Sequence, residues 1–257
     1  MKAKYRHIIF DADHTLIDFQ ADERRAIRAS IADIPPSKTR AGVSIADIPP
    51  FEATSDIPPS DEEIVHRIQA YSLLNWGELG LDQVHDPVIQ RRYHELTYTH
   101  VHALIAYAGS QYAIQDAERA ERIFFETLCL PANPCEGALE IVRELSTRFL
   151  VSVATNGLSL MQRGRLKEFM PYLHQLFISE EMETIKPAKE FGKTMLEALG
   201  ARAEECLFVG DSLSSDIAMA GKLQMDAVWV NPDGRPLPEG CRVKGQIRTL
   251  KELFQYV

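Results

Sequence analysis

A chain of 257 residues, 45% hydrophobic and 25% charged, has the composition of a folded globular protein with apolar material for one large or two modest domains. Its net charge of −9 argues against a nucleic-acid polymer as partner, since that partner calls for a basic face. A small phosphorylated ligand stays open, because a metal ion and a few local cations can oppose the global field. No apolar run has the length of a membrane span and the first residues hold no leader-like apolar core, so no membrane partner is expected. Cys129, Cys135, Cys206 and Cys241 lack CxxC spacing and read as free packing thiols in a reducing cytoplasm.

The first predicted element is a short buried strand at Ile8-Ile9-Phe10, ended by Asp11 and Asp13. In parallel α/β sheets chemistry gathers beyond the carboxyl ends of the strands. Two carboxylates one residue apart repel, and call for a cation, a proton or both. A strand followed by a polar turn would look the same locally. By alternation, His14 is expected to point away from the two aspartates.

Ala21 to Ile34 has a helical pattern. It runs into an echo, Asp33-Ile34-Pro35-Pro36, Asp47-Ile48-Pro49-Pro50 and Asp56-Ile57-Pro58-Pro59. Paired prolines oppose helix and sheet hydrogen bonding, so residues 35–59 read as a long mobile insertion, with partner docking through the prolines as the functional alternative. Ser60-Asp61-Glu62-Glu63 is a capping box that restarts helix. From there to Leu130 the pattern stays helical, far longer than a simple βα connection. Tyr71, Trp76, Tyr93 and Tyr98 are expected in the core of this helical block, base stacking being the alternative.

From Pro131 strands and helices alternate, which implies a parallel sheet with right-handed crossovers. Strands are predicted at Phe149–Ala154, around Leu150-Val151-Ser152-Val153, and at Leu176–Ile178, Cys206–Val209 and Ala227–Val230. Helices are predicted at Gly137–Ser146, Leu160–Met170, Glu190–Leu199, Ser214–Leu223 and Leu250–Tyr256. Three further places carry polar groups. Thr155-Asn156-Gly157 offers a hydroxyl and backbone N–H groups at a helix start, either an anion site or a capping turn. Lys186 is restricted by the following Pro187, either a point charge on a phosphate or a solvated lysine. Gly210-Asp211, with Asp216 five residues on, offers hard oxygen ligands of the kind Mg²⁺ takes, or a helix cap and a solvated aspartate. Gly210 would let the backbone approach a ligand closely.

Taken together, Asp11-Ala12-Asp13-His14-Thr15, Thr155, Lys186 and Gly210-Asp211 through Asp216 resemble the four motifs of the haloacid dehalogenase superfamily of phosphohydrolases. The resemblance covers about Lys4 to Asp18 and Pro131 to Val257. It implies an α/β fold with a Rossmann-like parallel sheet core, residues 1–18 and 131–257. An all-helical cap of the C1 type is inserted at residues 19–130. The Pro-Pro segment departs from the family's caps.

The resemblance also implies roles. Asp11 would be the nucleophile forming an aspartyl-phosphate, and Asp13 the acid that protonates the leaving oxygen and then the base that activates water. Mg²⁺ would be held by the Asp11 carboxylate, the Asp13 main-chain carbonyl and Asp211, with Asp216 in or next to the shell. Thr155, the N–H groups of Asn156 and Gly157, and Lys186 would bind the phosphoryl oxygens. The carboxylate at Asp13 separates phosphatases and mutases from the family's dehalogenases. Ser179-Glu180-Glu181, Thr155-Asn156-Gly157 and Val228 to Pro232 resemble the pyrimidine 5′-nucleotidase-like branch. The expected function is therefore a Mg²⁺-dependent phosphomonoester hydrolase for a small phosphorylated metabolite, nucleoside 5′-monophosphates included. A sugar-phosphate phosphatase or phosphoglucomutase-like enzyme is the rival within the family. A catalytically silent binding protein is the rival of another class; Asp11, Asp13, Lys186 and Asp211 speak against it.

Overall fold

The computed structural model describes residues 4–32, 60–112 and 116–257. The Pro-Pro segment 35–59 lies outside them. Six parallel strands form one sheet in the order β3-β2-β1-β4-β5-β6, with β1 at His7–Phe10, β2 at Leu150–Thr155, β3 at Gln175–Ile178, β4 at Cys206–Gly210, β5 at Asp226–Val230 and β6 at Gly245–Ile247. β1 is central because it is apolar on both faces, as a strand covered on both sides must be. Ile8 and Phe10 enter one apolar cluster with Val151, Leu207 and Ile141. Ile9 enters the other with Phe208, Phe191 and Met219. The helices that supply these faces are α5, Ala138–Ser146, α7, Lys189–Leu199, and α8, Ala218–Leu223.

Three predicted helices differ in form. The helix after β2, α6, is Ser159–Arg165 only; a 3-10 turn follows at Met170–Tyr172, where Pro171 removes a backbone donor and disfavours α geometry at the residue before it. The helix before β5 opens with a π turn, Leu213–Ile217, ahead of α8. The C-terminal segment is a 3-10 helix, Leu250–Gln255. Strand β6 has no counterpart in the sequence reading, since of its three residues only Ile247 is buried.

The chain divides into two compact units, Met1–Phe19, Gln83–His94 and Cys129–Val257 on one side, Gln20–Asp82 and Glu95–Leu128 on the other. The first holds the sheet. Its segment Gln83–His94 comes from within the helical block of the sequence. The second is all helical, inserted between β1 and β2, and uses α1, Phe19–Ile31, α2, Asp61–Glu78, α3, Pro87–Tyr112, and α4, Ala117–Leu128. Ser60 caps α2, its Oγ accepting from the Glu63 N–H at 3.3 Å. Tyr71 and Tyr107 stack face to face at 4.1 Å, Trp76 sets its ring edge-on to His100 at 5.2 Å, and Tyr98 lies 5.7 Å from Phe125, so these aromatics pair inside the helical unit. Tyr93 is buried and belongs to the sheet unit. None of the four cysteines is in a disulfide. Among the described residues no helix is long and apolar enough to cross a membrane.

Candidate active site

Ladder pairing carries one residue past β1, where the Asp11 N–H donates to Val209 O at 2.8 Å. The chain then turns on Ala12, whose carbonyl accepts from the N–H groups of Leu16 and Ile17. Asp11, 7% exposed, is thereby fixed at the end of the central strand. His14 sits in that turn with φ 60° and its ring 6.0 Å from Phe19. The alternation invoked for it lapses, because the backbone is no longer extended there.

Lys186 is the hub. Its buried ammonium donates to Asp11 Oδ1 at 2.5 Å, Asp216 Oδ1 at 2.7 Å and the Ala154 carbonyl at 2.7 Å, which uses all three of its hydrogens. Asn156 fixes its backbone from both sides. The amide Nδ2 donates to Lys186 O at 2.9 Å, and Lys186 N donates to Asn156 Oδ1 at 2.8 Å. Burial would lower the Lys186 pKa, but the Asp11 and Asp216 carboxylates overcome it and hold the ammonium above its ordinary value. Asp11 is pushed well above the usual carboxylate range by burial, against the pull of Lys186 and with Asp216 and Asp211 adding repulsion. Asp211 is pushed up to about 7 by burial and by Asp216.

The loop after β4 folds back so that Asp216 returns beneath the strand end. Ser212 N donates to Asp216 Oδ2 at 3.1 Å, and Ser212 Oγ caps the π turn by accepting from Ser215 N. Gly210 makes this possible, since a Cβ on it would stand 2.2 Å from Asp216 Oδ2. The space read from sequence as room for a ligand is filled by the protein's own carboxylate. Trp229 Nε1 donates to Asp211 O at 2.8 Å and fixes the neighbouring backbone.

Carboxylate oxygens of Asp11, Asp211 and Asp216 lie within 4.8 Å of one another. An all-oxygen set with more negative than positive charge suits a hard divalent cation such as Mg²⁺. Three carboxylates against one ammonium leave an excess that a cation would relieve. The Asp13 side chain stands apart from this set, held by Gln162 and Arg165 of α6.

Thr155 is buried at the end of β2, its Oγ1 accepting from Gln162 Nε2 at 3.0 Å. The Gly157 N–H, expected to serve a phosphate, donates to Ser179 Oγ at 2.9 Å. His94 Nε2 lies 2.8 Å from the same hydroxyl. The structure therefore brings Asp11, Lys186, Asp211 and Asp216 together, and joins Thr155 to Asp13 through Gln162. Gln162, Arg165 and His94 are absent from the sequence reading, and Ser179 enters it only within the Ser179-Glu180-Glu181 resemblance. The only local signal for the first two is their spacing of three on one helix, which places them on a common face.

The haloacid dehalogenase-like hydrolase family matches residues 5–223. HAD-hydrolase YfnB of Bacillus subtilis is 28% identical over 254 residues, covering 98% of this chain and 94% of YfnB. Its crystal structure, bound to magnesium, superposes with a TM-score of 0.73 at 26% identity over 99% of both chains. Pyrimidine 5′-nucleotidase PynA of Streptococcus pneumoniae is 28% identical over 232 residues, 89% of this chain and 84% of PynA. A glyceraldehyde 3-phosphate phosphatase of Methanocaldococcus jannaschii is 34% identical over 101 residues, 38% of this chain and 44% of its own. With the parallel sheet, the strand-end aspartates and a family match over most of its length, the chain belongs to the haloacid dehalogenase-like hydrolases.

Proposed function

We propose that this hydrolase is a Mg²⁺-dependent phosphomonoesterase that works through an aspartyl-phosphate on Asp11, on a small phosphorylated metabolite of the cytoplasm. The observation that carries the reading is the gathering of Asp11, Asp211 and Asp216 around the Lys186 ammonium, with Asp13 held separately by its own partners. Lys186 binds Asp11 Oδ1, which leaves Oδ2 to attack phosphorus. The ester P–O bond breaks as the Asp11 O–P bond forms, and the leaving oxygen takes its proton from Asp13. Water then attacks the phosphorus of the aspartyl-phosphate and gives a proton to Asp13, which restores the Asp11 carboxylate and releases inorganic phosphate. Thr155, Lys186 and the Asn156 and Gly157 main chain serve the phosphoryl oxygens; to take part, the Gly157 N–H has to exchange Ser179, and the Lys186 ammonium one of its three acceptors, for phosphate. Mg²⁺ on Asp11, Asp211, Asp216 and the Asp13 carbonyl would offset the repulsion between anionic nucleophile and anionic ester. The same proposal gives residues 1–18 and 131–257 the part of the core, and 19–130 that of a cap that selects the leaving group.

Nucleoside 5′-monophosphates are the first substrates to try, supported by PynA and by the local resemblances around Thr155 and Ser179. Sugar and triose phosphates are second, supported by the Methanocaldococcus relative. The test is phosphate release from p-nitrophenyl phosphate with Mg²⁺, followed by both substrate groups. Release that stops on adding EDTA is expected. A protein that hydrolyses none of them with Mg²⁺ present would end the proposal.

A further inference from the structure

We propose that Gln162 and Arg165 are positioning residues that fix the carboxyl plane of Asp13, an inference that rests on the phosphomonoesterase reading. The two residues come from α6 and reach both oxygens of the same carboxylate. Gln162 Nε2 donates to Asp13 Oδ2 at 2.8 Å, and Arg165 Nη1 forms an ion pair with Asp13 Oδ1 at 2.6 Å. They also hold each other, Arg165 Nη1 donating to Gln162 Oε1 at 3.2 Å. Gln162 ties the group to the phosphate side through Thr155 Oγ1.

Both side chains are buried, whereas the Asp13 side chain keeps 27% of its exposure. The acid/base thus faces outward from a mount inside the protein. The guanidinium also lies over the Phe19 ring, 5.0 Å from its centre, so an apolar wall as well as a charge sets its place.

The mount itself has little room to move. A Cβ on Gly164 would stand 1.9 Å from the Cys129 carbonyl oxygen, so α6 is pressed against that backbone. The Arg165 carbonyl accepts from Ala132 N at 3.1 Å. A Cβ on Gly157 would stand 2.8 Å from Gln162 Nε2, so the missing side chain makes the place for this amide. The hydrogen bond at Oδ2 and the guanidinium charge beside the buried Oδ1 restrain rotation of the carboxyl group and leave Oδ2 a further lone pair for a proton. That fixed aim is what transfer to a leaving oxygen needs, since small misplacement of a catalytic group costs orders of magnitude in rate.

The experiment compares kcat/KM for phenyl phosphate, whose leaving oxygen needs a proton, with p-nitrophenyl phosphate, whose leaving group needs far less help. The variants are Gln162→Leu, Arg165→Met, Arg165→Lys and, as reference, Asp13→Asn. Expected is a fall of roughly 10- to 100-fold on phenyl phosphate with a several-fold smaller fall on p-nitrophenyl phosphate, in kcat more than KM, for the first two and for Asp13→Asn. Arg165→Lys should recover part of the loss. If Asp13→Asn shows the selective loss while Gln162→Leu and Arg165→Met weaken both substrates equally or neither, the positioning role is wrong and the phosphomonoesterase reading stands. An Asp13→Asn enzyme as active as wild type on both substrates removes the two together. Should Arg165→Met fail to fold, Gln162→Leu decides alone, because leucine keeps much of the volume and removes only the amide.

Discussion

Each of the two units buries a titratable side chain among polar partners, with opposite results. In the α/β unit a buried ammonium is outnumbered by carboxylates, and burial with mutual repulsion pushes Asp211 up to about 7. In the helical unit a buried imidazole, His100, is pushed down to about 4 by burial. Its partners are Ser72 Oγ at 3.1 Å from Nε2 and Asn75 Oδ1 at 3.0 Å from Nδ1. The Ser72 proton goes to Glu23 at 2.6 Å, so Ser72 accepts from His100 Nε2–H, and a neutral ring then needs the Asn75 amide turned about its end, with NH₂ in place of Oδ1 at Nδ1. One group is left with unbalanced charge and the other is balanced by hydrogen bonds between neutral groups. Burial of a titratable residue does not by itself mark chemistry; excess charge held in place does.

The largest effect that would break this contrast is at the proposed nucleophile. Asp11→Asn should lower phosphate release at least about 10³-fold, as loss of an attacking group does elsewhere. Its thermal midpoint should stay or rise, because the ionised carboxylate is disfavoured by its burial. Phosphate release and a melting curve on one preparation check both, and a rate within tenfold of wild type would take the nucleophile's role from Asp11. Next comes Gly210→Ala. The added methyl meets the Asp216 carboxylate at 2.2 Å, so either the strand end or the carboxylate must shift. A loss of about 3 kcal/mol is expected, at the upper end for overpacking, together with a raised Mg²⁺ requirement for activity. Urea unfolding and a Mg²⁺ titration measure the two; an alanine enzyme with wild-type values would show that Asp216 is not confined by the glycine.

The strands that carry the site were legible because a continuous apolar run ending in aspartate or threonine is a local pattern, as at Ile8 to Asp11, Val151 to Thr155 and Leu207 to Asp211. What escaped depends on partners distant in sequence. Gln162 and Arg165 look like ordinary polar residues of a surface helix until Asp13, about 150 residues earlier, is set opposite them. Asn156 was read for its N–H, while its side chain clasps Lys186. Gly210 was given to a ligand because nothing local shows Asp216 returning under it. In the helical unit an aromatic at helical spacing reads as core before ligand, and the partner rings that support that reading lie far off in sequence.

A smaller effect tests the balanced histidine. The folded pKa of His100, about 4, is below its ordinary 6.5, so the unfolded chain binds the extra proton between these values. The stability tied to the neutral ring is fully present above pH 6.5 and is lost as pH falls toward 4, at most about 3 kcal/mol. His100→Gln should flatten that part of the stability profile relative to wild type, read as the difference in urea unfolding between pH 7 and pH 4.5. Identical slopes would mean the ring is not held neutral.

The smallest effect separates architecture from recognition in the helical unit. Tyr71 and Tyr107 lie parallel within 8° at 4.1 Å, and each ring covers the face the other would offer to a base. Replacing either by leucine removes the stack and keeps an apolar side chain. Both single variants and the double give a cycle whose coupling should be about 1 kcal/mol. If the pair belongs to the bundle, kcat/KM for a nucleoside 5′-monophosphate stays at the wild-type value while the coupling appears in unfolding. A KM that rises for nucleotides and not for sugar phosphates, with no coupling in stability, would instead assign the pair to substrate and make the helical unit a reader of bases.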